Sequence, residues 1–159
     1  MDIVTSHDPQ PDVLMAARAL VLHDLEVTGM ADVENVSVLE AAVSTRRWWA
    51  AQWAEGTVYV AGLVAQDVQD ALLESVGRWP LCRACDQTDP HALYIHPELG
   101  GPDPTWVCET SGIAVAPLGE TAVPPRRRLP LDVDGHLPAR LPRVEPRTPG
   151  NGRQRPSAG

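Results

Sequence analysis

Hydrophobic positions recur with a helical period in the first half of the chain. Residues 12–28 carry apolar side chains three and four positions apart, with Asp12 as a candidate N-cap and Gly29 as a stop signal. We therefore predict a first helix that leaves His23 and Asp24 on its wet side. Its predicted buried stripe is Leu14, Ala17, Val21 and Leu25.

A second periodic stretch predicts another helix. Ser37 and Glu40 form a capping-box pattern at its start, and the periodicity continues to about Ala54. Within it, Trp49 and Trp53 are four residues apart, which places them on one face. We expect this pair to fill a core, with neighbouring arginines lying along the rings and their charges in water.

The third predicted helix runs from Thr57, its candidate cap, to Val76, and Gly77 follows it. Its apolar stripe is Val60, Val64, Val68 and Leu72. The opposite face is polar and mostly acidic, and it consists of Gln66, Asp67, Gln69, Asp70 and Glu74. We expect this face to be solvated, with a protein-recognition surface as the alternative.

Beyond this helix the period changes from 3.6 to 2. Alternation predicts short strands at 93–96, 105–108 and 113–118, separated by proline- and glycine-containing turns. If the hairpin closes across 97–104, His96 pairs near Thr105 and Leu93 near Cys108. The predicted fold is α+β: a three-helix N-terminal body followed by a small three-stranded antiparallel sheet.

Domain organisation follows from these patterns. We predict four regions: a flexible N-terminus (1–10), a helical body (11–78), a sheet packed on the helices (79–120) and a disordered proline- and arginine-rich tail (121–159). The tail has no periodicity of either kind, and such a polar composition cannot bury enough apolar surface to offset the conformational entropy of the chain.

Charge separates the body from the tail. Up to Val123 the chain has five arginines and 18 acidic residues, a net charge of −13, whereas the remainder has eight arginines and three acidic residues, a net charge of +5. An acidic body repels phosphate backbones, which argues against a nucleic-acid groove on the folded part. The tail is the part suited to an anionic partner.

The three cysteines suggest a metal site. Cys82 and Cys85 form a Cys-x-x-Cys turn, and 22 residues separate Cys85 from Cys108. A zinc ribbon has one such turn before a hairpin and a second after it, so that four thiolates meet. Here Ser111 stands where the fourth cysteine would be, with Gly112 after it.

Strand register selects a histidine as the fourth ligand. The predicted pairing places His91 beside the cysteines, whereas His96 lies three residues along the strand, about 10 Å away. The predicted ligands of a structural zinc ion are therefore Cys82, Cys85, His91 and Cys108. Asp86 and Asp89 are alternative oxygen ligands, or hydrogen-bond partners of the imidazole.

Other interpretations of the cysteines remain open. The segment is also compatible with a metal-free ribbon whose thiols are buried or form a labile disulfide, although the zinc site is the favoured interpretation. A thiol redox function is a weaker alternative, because no helix follows Cys85. Catalytic zinc requires an open ligand position, which Ser111 would leave, and Glu109 is the nearest carboxylate.

Several motifs together resemble a known group. They are the segment Tyr59–Asp70, the turn Trp79–Cys82, the Trp-x-Cys of 106–108 and the ending Ala116–Gly119. On these motifs, residues 46–119 resemble small uncharacterised proteins of high-GC Gram-positive bacteria. Residues 79–119 resemble a zinc ribbon that has lost one thiolate. The resemblance implies a bacterial source, with which the absence of lysine agrees, and it implies no activity.

These features favour a non-catalytic protein-binding or scaffold protein with a structural zinc module. A nucleic-acid-associated regulator, binding through the tail and the ribbon, is one alternative; a small hydrolytic or redox enzyme is another. The N-terminus lacks a signal-peptide pattern, and the longest apolar stretch, Val13–Val27, is interrupted by charged residues. We therefore expect a soluble cytoplasmic protein with a protein partner and no membrane association.

Overall fold

The computed structural model describes residues 9–122, with side chains from residue 12. Within this range the chain is α+β, as predicted, with three helices followed by a three-stranded antiparallel sheet. The elements are α1 (Pro9–Val27), α2 (Val33–Gln52), the 3₁₀ helix η1 (Ala54–Tyr59), α3 (Val60–Ser75), β1 (Leu93–His96), β2 (Thr105–Cys108) and β3 (Ala114–Pro117). Of the predicted flexible N-terminus (1–10) and disordered tail (121–159), residues 1–8 and 123–159 lie outside the described residues.

Helix α1 buries the predicted stripe and one residue more. The stripe residues, each at most 2% exposed, are Leu14, Ala17, Val21 and Leu25. Asp24, predicted on the wet side, is fully buried instead. Its Oδ2 accepts hydrogen bonds from Trp106 Nε1 (2.7 Å) and the Gly119 amide (2.9 Å), and its Oδ1 accepts one from the Thr121 hydroxyl. These donors come from the sheet and the segment after it, so the periodicity of α1 alone does not indicate them.

Helix α2 begins at Val33, four residues before the predicted capping box at Ser37. Asp32 is the N-cap, and its Oδ1 accepts a hydrogen bond from the Asn35 amide at 2.9 Å. The buried Asn35 side chain donates to Asp32 Oδ2 and to the Met30 carbonyl, both at 2.9 Å. Because the helix is already established, the Ser37 hydroxyl donates to the carbonyl of Val33 one turn earlier (2.7 Å) rather than capping.

The end of α2 also differs from the prediction. The helix stops at Gln52 and η1 follows, so the predicted cap Thr57 lies inside η1. Gly56 allows the close approach, since a Cβ there would lie 2.6 Å from ring atoms of both Trp49 and Trp53. These two rings meet edge to face at 5.2 Å, but only Trp49 packs against the core, and Trp53 remains 44% exposed.

Helix α3 has the predicted apolar stripe but a less solvated polar face. The fully buried stripe is Val60, Val64, Val68 and Leu72. On the other face, Asp67 forms two hydrogen bonds with Arg46 at 2.5 and 2.7 Å. Gln69 Nε2 donates to the carbonyls of Trp79 (2.9 Å) and Leu93 (2.5 Å). The expectation of a fully solvated face is therefore wrong for Gln69, which joins α3 to the sheet.

The sheet has the predicted hairpin register. Its order is β1-β2-β3, and β1 pairs with β2 so that Leu93 is opposite Cys108 and His96 is opposite Thr105. β3 pairs antiparallel with β2, with a register shift between Trp106 and Val107. As a result, Cys108 stands at the end of the hairpin where the chain enters β1.

Two buried indoles fill the junction of helices and sheet. Trp79 and Trp106 meet edge to face at 5.5 Å and are 3% and 0% exposed. Each indole N–H has an acceptor on the α1 side: Trp79 Nε1 donates to Thr28 Oγ1 at 2.9 Å, and Trp106 Nε1 donates to Asp24. These hydrogen bonds fix the sheet against α1 and satisfy the polar atoms that burial of the rings would otherwise leave unpaired.

Candidate metal centre

A short antiparallel pairing upstream of β1 positions two of the candidate ligands, Cys82 and His91. The Leu93 amide donates to the Pro80 carbonyl at 2.8 Å, and the Cys82 amide donates to the His91 carbonyl at 2.9 Å. The bridge between Leu81 and Ala92 lies between them. Cys82 is thereby held directly beside His91 by a pairing that was not part of the predicted hairpin.

The return strand brings in the third cysteine. Opposite Leu93, Cys108 ends β2, and its amide donates to the Ile113 carbonyl at 2.9 Å. The turn between them is closed by the Gly112 amide donating to the Cys108 carbonyl at 2.9 Å, and Gly112 has a φ of +70°. This is the tight knuckle turn that the glycine at this position predicts.

The four predicted ligands converge. The ligand atoms of Cys82, Cys85, His91 and Cys108 all lie within 4.8 Å of one another, and none of the cysteines forms a disulfide. Sγ of Cys85 lies 3.8 Å from Sγ of Cys82 and 3.9 Å from Sγ of Cys108. His91 Nε2 lies 3.1 and 3.3 Å from the sulfur atoms of Cys85 and Cys108.

These separations suit a tetrahedral metal ion. With Zn–S near 2.3 Å and Zn–N near 2.05 Å, ideal tetrahedral geometry places two sulfurs about 3.8 Å apart and a sulfur and a nitrogen about 3.6 Å apart. The sulfur–sulfur separations match, and the sulfur–nitrogen separations are a few tenths of an ångström shorter. The two remaining separations, from Cys82 Sγ to Cys108 Sγ and to His91 Nε2, are at most 4.8 Å, so shifts of up to about 1 Å at Cys82 and the imidazole would complete the tetrahedron.

A backbone carbonyl group orients the imidazole of His91. Its Nδ1 donates to the Asp89 carbonyl at 2.7 Å, which leaves Nε2 facing the thiols. That hydrogen bond raises the pKa of His91 to about 9, outweighing the lowering effect of burial, and Cys108 adds to the increase. Asp89 therefore acts through its main chain, not its carboxylate. With a metal ion at Nε2, the same contact fixes the tautomer and the ring plane.

Ser111 contributes a hydrogen bond rather than a ligand. Its amide donates to Cys108 Sγ at 3.3 Å. The Ser111 hydroxyl is the main cause that lowers the pKa of the Cys108 thiol to about 6, and the amides of Ser111 and Thr110 lower it further against the effect of burial. The residue that departs from the zinc-ribbon pattern thus stabilises the thiolate form of its neighbour.

The pKa of the Cys85 thiol is shifted in the opposite direction, upward. The Gln87 amide lowers the pKa of its thiol, but burial and the nearby thiols of Cys82 and Cys108 outweigh that effect, and the net pKa is raised. Crowded thiols resist ionising together, because like charges at this distance repel. A bound cation would remove that repulsion, so the arrangement favours a positive ion at its centre.

The alternative ligands are placed elsewhere. His96 is exposed and pairs with Thr105 at the far end of the hairpin. Asp86 is exposed and does not belong to the cluster. Glu109 is engaged, since its Oε1 accepts hydrogen bonds from Arg78 (2.6 Å) and from the Ala92 amide (2.9 Å).

A family model matches most of the described region. A family model described as a domain of unknown function (DUF8819) matches residues 10–118. The chain belongs to the DUF8819 family. In this member the matched region includes the three helices, the sheet and all four residues of the candidate metal centre. No curated protein and no solved structure matches the chain.

One further expectation from the sequence concerns the membrane. In the part of this DUF8819 chain that the structure describes, residues 9–122, no helix has the length and apolar character needed to cross a bilayer. The cytoplasmic location and the bacterial source stay predictions. The nucleic-acid alternative depends mainly on the basic tail, which lies outside the described residues from position 123 onward.

Proposed function

We propose that this chain is a non-catalytic protein-binding or scaffold module whose structure is held by a zinc ion. The convergence of three cysteine sulfurs and one imidazole nitrogen within 4.8 Å carries the proposal. Three thiolates and an imidazole are a common ligand set of structural zinc. Because they supply four protein ligands, they complete a tetrahedral site and leave no position for a substrate.

The zinc-ribbon interpretation is part of the same proposal. Cys82 and Cys85 form the first knuckle, Cys108 with Gly112 forms the second, and His91, from the segment before β1, takes the place of the missing thiolate. The ion would tie the segment before β1 to the end of β2, and these meet the helices through Trp79 and Trp106. Its chemical contribution is binding free energy that becomes folding free energy.

The surface supports recognition of a protein. Outside the core, large apolar side chains remain exposed: Trp48 (70%), Val58 (52%) and Leu99 (82%). Tryptophan is among the residues most enriched at the energetic centres of protein interfaces. Glu109, the carboxylate nearest the ligand position that Ser111 would leave open, is held by Arg78 and a main-chain amide, which argues against the hydrolytic alternative.

Metal content tests the zinc site directly. We expect the purified protein to hold about one zinc ion per chain by elemental analysis, and Cys85→Ser to hold little. His96→Ala is the matched control, because this histidine lies in the same hairpin but away from the cluster. A wild-type protein that is folded and free of metal would remove the zinc part of the proposal.

Cobalt substitution distinguishes a closed site from an open one. With Co²⁺ in place of zinc, we expect the visible absorption of a tetrahedral thiolate complex, unchanged by azide or cyanide. A catalytic ion with an exchangeable position would bind these anions, and its spectrum would change. Anion-dependent spectra in the wild-type protein would therefore favour the enzyme alternative.

A further inference from the structure

A groove of about 240 Å³ runs between α3 and the β1 strand with the turn that follows it. Its polar lining includes Gln66, Asp70 and Glu98, and its apolar lining includes Tyr94 and Leu99. This volume is below the roughly 300–1,000 Å³ of pockets that bind cofactors or drug-sized ligands. A single long side chain is an occupant of suitable size.

The groove is pre-formed because both of its ends are fixed. At one end, Gln69 donates to the carbonyls of Trp79 and Leu93 and so holds α3 against β1. At the other, the turn after β1 packs on the start of α3. Gly100 and Gly62 allow this approach, since a Cβ on Gly100 would lie 2.7 Å from the Tyr59 carbonyl oxygen and one on Gly62 would lie 3.1 Å from the Cα of Gly100.

The carboxylates of the groove have no cationic partner in the described part of the chain. Within residues 12–122 the ion pairs are Arg18–Glu40, Arg46–Asp67 and Arg78–Glu109. The side-chain carboxylates of Asp70 and Glu98 form no ion pair or hydrogen bond with any residue in that range. The region up to Val123 also carries a net charge of −13. The charge of the groove is therefore complementary to a cation.

The apolar lining narrows the choice of cation. Leu99 is 82% exposed and Tyr94 is half-buried, so both present hydrophobic surface beside the two carboxylates. Arginine has an aliphatic stem that packs on such surface and a planar guanidinium that stacks on aromatic rings and forms paired hydrogen bonds with carboxylates. Lysine offers a compact charge that is more strongly hydrated and stacks less well.

We propose that this groove binds an arginine side chain of a partner protein, with Asp70 and Glu98 as the anionic contacts and Tyr94 and Leu99 against the stem. The inference rests on the proposed function as a protein-binding module and names its recognition surface. It also identifies the acidic face of α3, together with the turn after β1, as the part of the surface that selects the partner.

The test uses the zinc-loaded, ¹⁵N-labelled full chain titrated with N-acetyl-arginine methylamide and followed by NMR chemical shifts. We expect saturable shifts confined to the amides of 66–70 and 94–99, with a Kd of about 1–10 mM for a single side chain. N-acetyl-citrulline methylamide has nearly the same shape without the charge, and it should give no saturable shift. The lysine analogue should bind several-fold more weakly.

Protein variants localise the effect. Asp70→Asn combined with Glu98→Gln should raise the Kd at least about tenfold, because both anionic contacts are lost. Glu74→Gln, which removes an exposed charge of the same helix outside the groove lining, should leave the Kd unchanged. Equal binding of citrulline or lysine, or an unchanged Kd in the double variant, would overturn the assignment.

The results of these experiments distinguish failure of the zinc-module proposal from failure of the arginine-groove proposal. Metal analysis of the same sample reports on the zinc module, whereas the titration reports on the groove. A folded, zinc-loaded chain with no localised shifts would overturn only the arginine groove. A folded chain without zinc that still shows the localised shifts would overturn only the zinc module.

Discussion

Replacing Asp24 by alanine is expected to destabilise the domain by about 3–5 kcal/mol, a large part of the total stability of a domain of this size. The carboxylate is fully buried and accepts hydrogen bonds from the Trp106 indole, the Gly119 amide and Thr121. Alanine would leave the buried Trp106 indole N–H and the partly buried donors of Gly119 and Thr121 without this acceptor. Urea denaturation followed by circular dichroism measures the change.

Two further variants separate burial from charge. Asp24→Asn keeps one acceptor oxygen but points an NH₂ group at donors, so we expect an intermediate loss of about 1–3 kcal/mol. The neighbouring His23→Ala changes an exposed side chain and should alter stability by less than about 0.5 kcal/mol. If Asp24→Ala unfolded at the same urea concentration as the wild type, the buried contact would not be a determinant of the fold.

The second large effect is expected at the metal centre. His91→Ala removes a ligand, and since loss of an outer hydrogen-bond partner alone typically costs 10–100-fold in metal affinity, we expect the zinc affinity to fall by more than about 100-fold. The melting temperature should fall by about 10 °C or more and should become dependent on added zinc. Chelator competition and calorimetry measure the two quantities.

His96→Ala is the control for this comparison. Both histidines belong to the same segment, but only His91 has a nitrogen beside the thiols. We expect His96→Ala to retain wild-type zinc affinity and melting temperature. Wild-type affinity in His91→Ala would show that the imidazole is not a ligand and would favour a three-thiolate or metal-free site.

The hairpin was predictable because its determinants are local. Alternation over 93–96 and 105–108, with a proline- and glycine-rich turn between, leaves one register in which the apolar residues share a face. That register places Cys108 opposite Leu93 and separates His91 from His96 by several residues of strand. The choice of the fourth ligand therefore followed from strand geometry and the rise per residue.

The N-terminal half of α2 shows a limit of local rules. Both Asp32 and Ser37 are good caps by residue type, and the sequence contains a complete capping box at the second. The earlier cap is used because Asn35 is buried and bonds both to Asp32 and to the chain before the helix. Competition between two acceptable caps is decided by burial, which only the assembled core defines.

By itself, the sequence determined the apolar stripes of α1 and α3, the hairpin register and the cysteine–histidine spacing, because each depends on a short period or on neighbouring strands. Tertiary structure decided the burial of Asp24, the bridge made by Gln69, the exposure of Trp53 and the groove beside α3. These four features depend on partners from distant segments, and nothing in a local pattern records which polar side chain will meet a donor or acceptor across the core.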